Sequence, residues 1–383
     1  MKIAFYALRD FDELAFVKKF SREYGSGYVW TAAYPDESNL DLATGCDAIS
    51  ATPCRMTDEM LETWHGYGVR SILTRSIGFD HVPLVKAREL GMTVSNTPYP
   101  TDCVADYAIM LMLMCLRQMK QIMVRAEAQD FTLKNKMGRN LEDCTVGVVG
   151  TGHIGQVLIR HLQGFGCRIV AYDQYENEAV KPYARYVDLD TLWKEADIVS
   201  LHLPANAATH HLVNAASLAR MKDGVILINT ARGSLIDSRA LIDALKARKV
   251  SAAGLDLLEN EYGLYYEFRA GEALDNEELV HAAQFPQCHC QSPHGLLRGT
   301  DRRQHDQRQF CLGSRERHGD GGSVPDFEIT TGKEAVSHAY PVFSRRRRGT
   351  PAPDGHGRRP ARPGLRQGGQ CGGAGRIRRS ALF

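Results

Sequence analysis

The clearest chemical grammar in this chain belongs to three glycines. They stand in the string Val146-Gly147-Val148-Val149-Gly150-Thr151-Gly152-His153-Ile154-Gly155, between the apolar run Thr145–Val149 and a stretch with helical spacing. A strand that turns through G-x-G-x-x-G into a helix is suited to receive a pyrophosphate. Gly150 permits the tight turn, Gly152 lets the backbone approach the phosphates, and Gly155 lets helix and strand pack closely. Asp173 closes the next apolar run, 18 residues after Gly155. A carboxylate there accepts hydrogen bonds from ribose hydroxyls and repels a 2′-phosphate, so the expected cofactor is NAD, not NADP. Arg168 precedes that strand and offers no replacement charge.

Three further groups sit where strand ends should converge. Arg232 follows the apolar run in Ile228-Asn229-Thr230-Ala231-Arg232-Gly233. Its planar fork suits a carboxylate and can polarise a neighbouring carbonyl. Asp256 closes another run and leads into an acidic loop that contains Glu261. His294, in the step Pro293-His294, can exchange one proton near neutral pH. A nearby Glu261 would favour its charged form. Read singly, each has a plainer explanation: a surface salt bridge, an exposed strand end, a solvated acidic loop, or one of the 14 histidines of the chain.

The elements that must position these groups alternate between strand and helix. Strands are expected at Lys2–Ala7, Asp47–Ala51, Val69–Thr74 and Thr93–Asn96, with helices at Asp10–Tyr24 and Val82–Leu90. One apolar helix spans Asp102–Arg125, with Met110, Met112, Met114 and Met119 as packing filler. A second series follows, with strands at Thr145–Val149, Arg168–Tyr172, Asp197–Leu201, Val225–Asn229 and Ser251–Asp256. Its helices are expected at His153–Phe165, Leu189–Lys194, Ala215–Met221 and Ser238–Arg248. This is the pattern of an α/β protein with two domains: a doubly wound Rossmann parallel sheet and a smaller flavodoxin-like substrate domain. The expected boundaries are 1–98 for the first part of the substrate domain and 99–294 for the cofactor domain. Residues 295–329 return to the substrate domain, and 330–383 form a tail.

Composition narrows the class. The chain has 383 residues, is 43% hydrophobic and carries a net charge of only +2, unlike a dedicated nucleic-acid binder. Its longest clean apolar run, Tyr107–Leu116, is far short of the roughly 18–20 residues of a membrane span. The ten cysteines are scattered singly, which points to reduced thiols in a cytoplasm. Two cysteines around His289, with no second pair, do not make a metal cluster, and no metal is expected.

The grammar breaks after Pro286. The last 97 residues hold 17 Arg, 16 Gly and one lysine, Lys333. A basic tail for nucleic acid is one reading, and a shift of reading frame is the other. Displacing the frame by one base across Pro286–His294 permits P-N-V-I-V-S-P-H, a strand followed by a Pro-His step. The same frame turns Phe327-Glu328-Ile329-Thr330 into Leu-Lys and a stop. Gly332-Lys333-Glu334-Ala335 can then encode the ribosome-binding sequence AAGGAGGC, and His338-Ala339 contains an ATG. This coincidence favours the frameshift, with an intended end near residue 329.

TRSIGFDH (Thr74–His81), VGVVGTGHIG (Val146–Gly155), INTARGSLID (Ile228–Asp237) and GLDLLENE (Gly254–Glu261) together resemble the D-isomer-specific 2-hydroxyacid dehydrogenases. The resemblance covers about residues 1–286 and is strongest to bacterial D-lactate dehydrogenases. Cys103-Val104-Ala105-Asp106-Tyr107 and Gly164–Cys167 look like the branch found in vancomycin resistance. The resemblance implies a catalytic set of Arg232, Glu261 and His294. It implies cofactor contacts from Gly150, Gly152, His153, Ile154, Gly155, Asp173, Leu203, Pro204, Thr209, Thr230, Ala231, Arg232 and Asp256. The substrate would meet Ser76, Ile77, Gly78, Tyr99 and Arg232. The implied activity is NADH-dependent reduction of a small 2-keto acid, pyruvate first, to the D-2-hydroxy acid by a cytoplasmic homodimer. A 2-hydroxyisocaproate-type enzyme, an NAD-sensing corepressor-like protein and an inactive frame-shifted product stay open as alternatives.

Overall fold

The computed structural model describes residues 1–97, 101–134, 137–260, 274 and 276–290. Tyr99, Glu261 and His294 lie outside the described residues, as do the segments 295–329 and 330–383.

Five short strands open the chain: β1 (Lys2–Phe5), β2 (Gly27–Trp30), β3 (Ala48–Ala51), β4 (Ser71–Thr74) and β5 (Thr93–Ser95). All pair in parallel, in the order β2-β1-β3-β4-β5, the flavodoxin-like doubly wound order. Helix α1 (Leu14–Tyr24) covers one face, and α2 (Asp58–Gly66) and α3 (Leu84–Glu89) cover the other. The two-residue period of a strand divides the side chains. Ile3 and Phe5 pack with Val17 and Phe20 of α1, whereas Ala4 and Tyr6 pack with Leu61 and Trp64 of α2. Strands β3 and β4 are buried throughout because helices lie on both faces.

The next helical segment departs from its sequence expectation. A single helix over Asp102–Arg125 is replaced by α4 (Asp102–Leu116) and α5 (Met119–Glu127), bent by 63°. The break falls at Gln118, which takes a left-handed φ of 52°. Burial explains the change of direction. Helix α4 inserts Ala105, Ala108, Leu111 and Met112 into the core, while α5 buries no residue fully. Met110, expected as packing filler, is 39% exposed. No single helix among the described residues is long and apolar enough to cross a membrane.

Seven strands then form a second parallel sheet: β6 (Thr145–Val149), β7 (Arg168–Tyr172), β8 (Arg185–Tyr186), β9 (Ile198–Leu201), β10 (Val225–Asn229), β11 (Val250–Leu255) and β12 (Cys288–Cys290). Their order is β12-β11-β10-β9-β6-β7-β8. Helices α4 and α6 (His153–Leu162) pack on one face through Leu111, Leu158 and Leu162. The other face receives α7 (Leu189–Glu195), α8 (Ala215–Arg220), α9 (Ser238–Lys246) and α10 (Glu277–Gln284). Side-chain caps fix several of these starts: Asp188 accepts from Thr191 N, Asp237 from Ala240 N, and Asn214 forms a capping box with Ser217. The chain steps outward from β6 through β7 to β8, then returns to the other side of β6 at β9. This reversal opens a crevice at the strands' carboxyl ends, where such sheets bind ligands.

The edge strands β2 and β8 were not evident in the sequence. Each is short and partly exposed, so neither carries a buried apolar run. Strand β12 forms even though Cys288-His289-Cys290 lacks a β-branched pattern, because the ladder to β11 is made of backbone groups. It buries His289 to 3% exposure, and the Nε2 of that ring has no partner among the described residues.

His81, beyond β4, is 7% exposed, and neither ring nitrogen has a hydrogen-bond partner among the described residues. Burial lowers its pKa to about 4, with Asp80 pulling upward and Arg232 pushing down. The unfolded chain therefore takes up this proton first on acidification. Stability present above about pH 6.5 should be lost down to about pH 4, by about 1.4 kcal/mol per pH unit for this one proton. Chemical denaturation midpoints measured across that window should show the slope, and His81→Leu should flatten it by one proton.

Candidate functional site

The glycine turn is built as its spacing predicts. Gly150 has φ of 99°, and a β-carbon there would lie 2.6 Å from the His202 carbonyl oxygen. One on Gly155 would lie 2.0 Å from the Gly150 carbonyl oxygen, so strand and helix touch at a point that excludes any side chain. Gly152 faces open space and caps α6 without a side-chain cap. The first-turn amides of a ten-residue helix thus open outward beside exposed His153 and half-buried Ile154. Asp173, directly after β7, accepts from Thr151 N at 2.6 Å and Thr151 Oγ1 at 3.1 Å. The acidic residue therefore braces the turn it stands over.

The other expected cofactor residues gather at neighbouring strand ends. Leu203 follows β9 and comes within 3.1 Å of where a Gly150 β-carbon would sit. Thr209 Oγ1 donates to the Pro204 carbonyl at 2.6 Å and closes that loop. Thr230 follows β10, and its buried hydroxyl has no partner among the described residues. Asp256 follows β11, is 4% exposed and donates its N–H to the Asn229 carbonyl at 2.9 Å. An open helix mouth, a bracing carboxylate and an orphaned buried hydroxyl on one rim fit a dinucleotide.

Arg232 reaches from this rim to the first sheet. Its Nε donates to Asp80 Oδ1 at 2.9 Å, and Nη1 donates to the Ala231 carbonyl at 2.7 Å. A β-carbon on Gly78 would fall 1.4 Å from Nη2, so the guanidinium lies in the space a side chain would need. The loop beneath it turns its carbonyls away: Gly78 O accepts from Ser76 Oγ at 2.5 Å, and Ile77 O accepts from Asn96 Nδ2 at 2.7 Å. Ser76 O accepts from the Thr97 amide at 3.1 Å. The amides of Ser76, Ile77 and Gly78 have no acceptor among the described residues. A guanidinium over such amides can hold a carboxylate.

The acidic loop after β11 contributes a residue that sequence reasoning overlooked. Glu259 accepts from Ser238 N at 2.9 Å and pairs with His211 Nε2 at 2.5 Å. These bonds hold its carboxyl below the usual range against the opposing effect of burial. Donor atoms of His210, His211 and Glu259 lie within 4.8 Å of one another, but the His211–Glu259 hydrogen bond already engages two of the three. Asp80 and His81 were also unassigned. Both stand in the string TRSIGFDH, but only the fold brings Asp80 to Arg232.

Residues 109–294 match the D-isomer specific 2-hydroxyacid dehydrogenase NAD binding domain. The chain is 36% identical over 284 residues to a 2-hydroxyacid dehydrogenase homolog of Haemophilus influenzae, covering 72% of this chain and 84% of the relative. It is 41% identical over 249 residues to a D-specific alpha-keto acid dehydrogenase of Enterococcus faecalis, covering 65% and 76%. The apo-structure of D-lactate dehydrogenase from Escherichia coli superposes with a TM-score of 0.72 at 30% identity, covering 84% of this chain and 98% of that one. With its glycine turn and NAD-binding domain, the chain belongs to the D-isomer specific 2-hydroxyacid dehydrogenase family.

Proposed function

We propose that this protein reduces pyruvate to D-lactate with NADH. The observation that carries the reading is the Arg232 guanidinium lying on Gly78, above amides that have no acceptor among the described residues. The substrate carboxylate binds these amides and Arg232, which also polarises the C2 carbonyl. The histidine of the Pro-His step, His294 as the chain stands and the last residue of P-N-V-I-V-S-P-H in the displaced frame, gives its proton to the carbonyl oxygen, with Glu261 favouring its charged form. NADH, when bound, supplies the hydride; the chain supplies orientation, charge and one proton. Asp173 sets the preference for NADH.

The working unit is a homodimer. Supporting this are apolar side chains left open on α4, α5 and the segment after them: Met110, Met123, Val124, Phe131, Leu133 and Met137. A cytoplasmic site agrees with the eight described cysteines, all free thiols. The D-lactate serves D-lactate-ended cell-wall precursors, in keeping with the resemblance of Cys103–Tyr107 and Gly164–Cys167 to the branch found in vancomycin resistance. The intended chain shifts frame after Pro286, and His289 supports this, since a buried imidazole occupies a slot that the displaced frame fills with an aliphatic residue.

DNA sequencing across codons 284–288 should reveal one base gained or lost; an uninterrupted frame would defeat that part of the reading. Protein from the repaired gene should turn over pyruvate with NADH, and a panel extending to 2-ketoisocaproate should rank pyruvate first. Binding of NADH without turnover of any 2-keto acid would leave a sensor instead. Gly78→Ala should fold and bind NADH normally, because the clash falls on the end of a flexible side chain, yet lose about 100-fold in kcat/KM through the displaced guanidinium. Asp173→Ala should weaken NADH by about tenfold or more, as expected for lost hydrogen bonds to a charged acceptor, and narrow the gap to NADPH.

A further inference from the structure

The geometry points to Asp80 as the positioning residue for Arg232, a link between the two sheets that aims the guanidinium at the substrate carboxylate. This inference rests on the proposed 2-keto acid reduction.

An arginine reaching across a cleft on a flexible stem has many rotamers, and only some direct its fork at the Ser76–Gly78 amides. Two contacts select one. Nη1 is tied to the carbonyl of the adjacent Ala231, and Nε is tied to Asp80 Oδ1 at 2.9 Å. With Nε engaged, the Nε–Nη2 edge is closed to a ligand. Nη2 and the second hydrogen of Nη1 remain, and Nη2 is the atom that lies over Gly78. Asp80 is well rooted for this task. It follows Gly78 by two residues, its Oδ1 lies 3.0 Å from the position of a Gly78 β-carbon, and its neighbour His81 is buried. One short turn after β4 therefore supplies both the amides for the substrate and the anchor for the arginine above them.

The pair is partly exposed, with side-chain exposures of 28% for Arg232 and 27% for Asp80. Such pairs contribute little to folding stability. Loss of Asp80 should therefore appear in catalysis, in both KM and kcat, and leave the unfolding midpoint almost unmoved.

The test uses the full chain from the repaired gene. Pyruvate kinetics, NADH affinity by fluorescence and thermal midpoints are measured for the parent, Asp80→Ala, Asp80→Asn, Arg232→Lys and the double variant Asp80→Ala/Arg232→Lys. Asp80→Ala should raise KM for pyruvate, lower kcat and reduce kcat/KM by about 30-fold or more. Its NADH affinity and midpoint should match the parent. Asp80→Asn keeps an acceptor oxygen and should recover most of the loss. In the Arg232→Lys background, removing Asp80 should cost almost nothing, because a group acting through Arg232 is silent once the fork is gone. The inference is overturned if Asp80→Ala keeps kcat/KM within twofold of an active parent. It is equally overturned if the two substitutions are additive, or if activity falls only together with the thermal midpoint. A parent that reduces no 2-keto acid sinks the underlying reading instead, so the two failures are distinguishable.

Discussion

Arg232 stands after a strand of one sheet, and its Nη2 fills the space that a β-carbon at Gly78, after a strand of the other, would need. Contact this close leaves no room for a side chain on one partner unless the guanidinium of the other gives way. It requires both sheets to be parallel, so that their carboxyl ends carry the loops. It also requires Asn229, whose Nδ2 donates to the Arg232 carbonyl at 2.8 Å, to fix where the arginine leaves β10. The next turn is equally constrained: a β-carbon on Gly233 would fall 2.1 Å from the Leu258 carbonyl. The glycine turn and the acidic loop are thus located by backbone packed against backbone, which is more rigid than any arrangement of side chains on a surface.

Charge is distributed in the same economical way. Asp173 braces Thr151, Glu259 holds His211 and the start of α9, and Asp80 holds Arg232. Each carboxylate lies in the segment that follows a strand and fastens a neighbouring loop. These loops are thereby held in place by charge before any ligand arrives.

The cofactor half was legible in the sequence because its signals are local. A buried parallel strand reads as an unbroken apolar run, and Thr145–Val149 and Val225–Asn229 are buried throughout. The glycine turn and Asp173 are fixed by spacing along one βαβ unit. What escaped was set by tertiary context. Strands β2 and β8 hold their places at sheet edges through backbone pairing and carry little apolar pattern of their own. The helix break at Gln118 depends on α4 running out of core to fill. Asp80 and Arg232 are 152 residues apart in the chain, so no spacing rule joins them. The roles of Tyr99, Glu261 and His294 rest on family likeness.

Among the described residues, strand β12 occupies one margin of the seven-stranded sheet and is the last of its strands along the chain. The ribosome therefore completes the glycine turn and the other six strands before it reaches β12. A change confined to β12 would touch only the outermost ply and leave β6 and β7, between which the glycine turn lies in the chain, side by side. The glycine turn is thereby shaped by earlier lengths of polypeptide than the one that finishes the sheet.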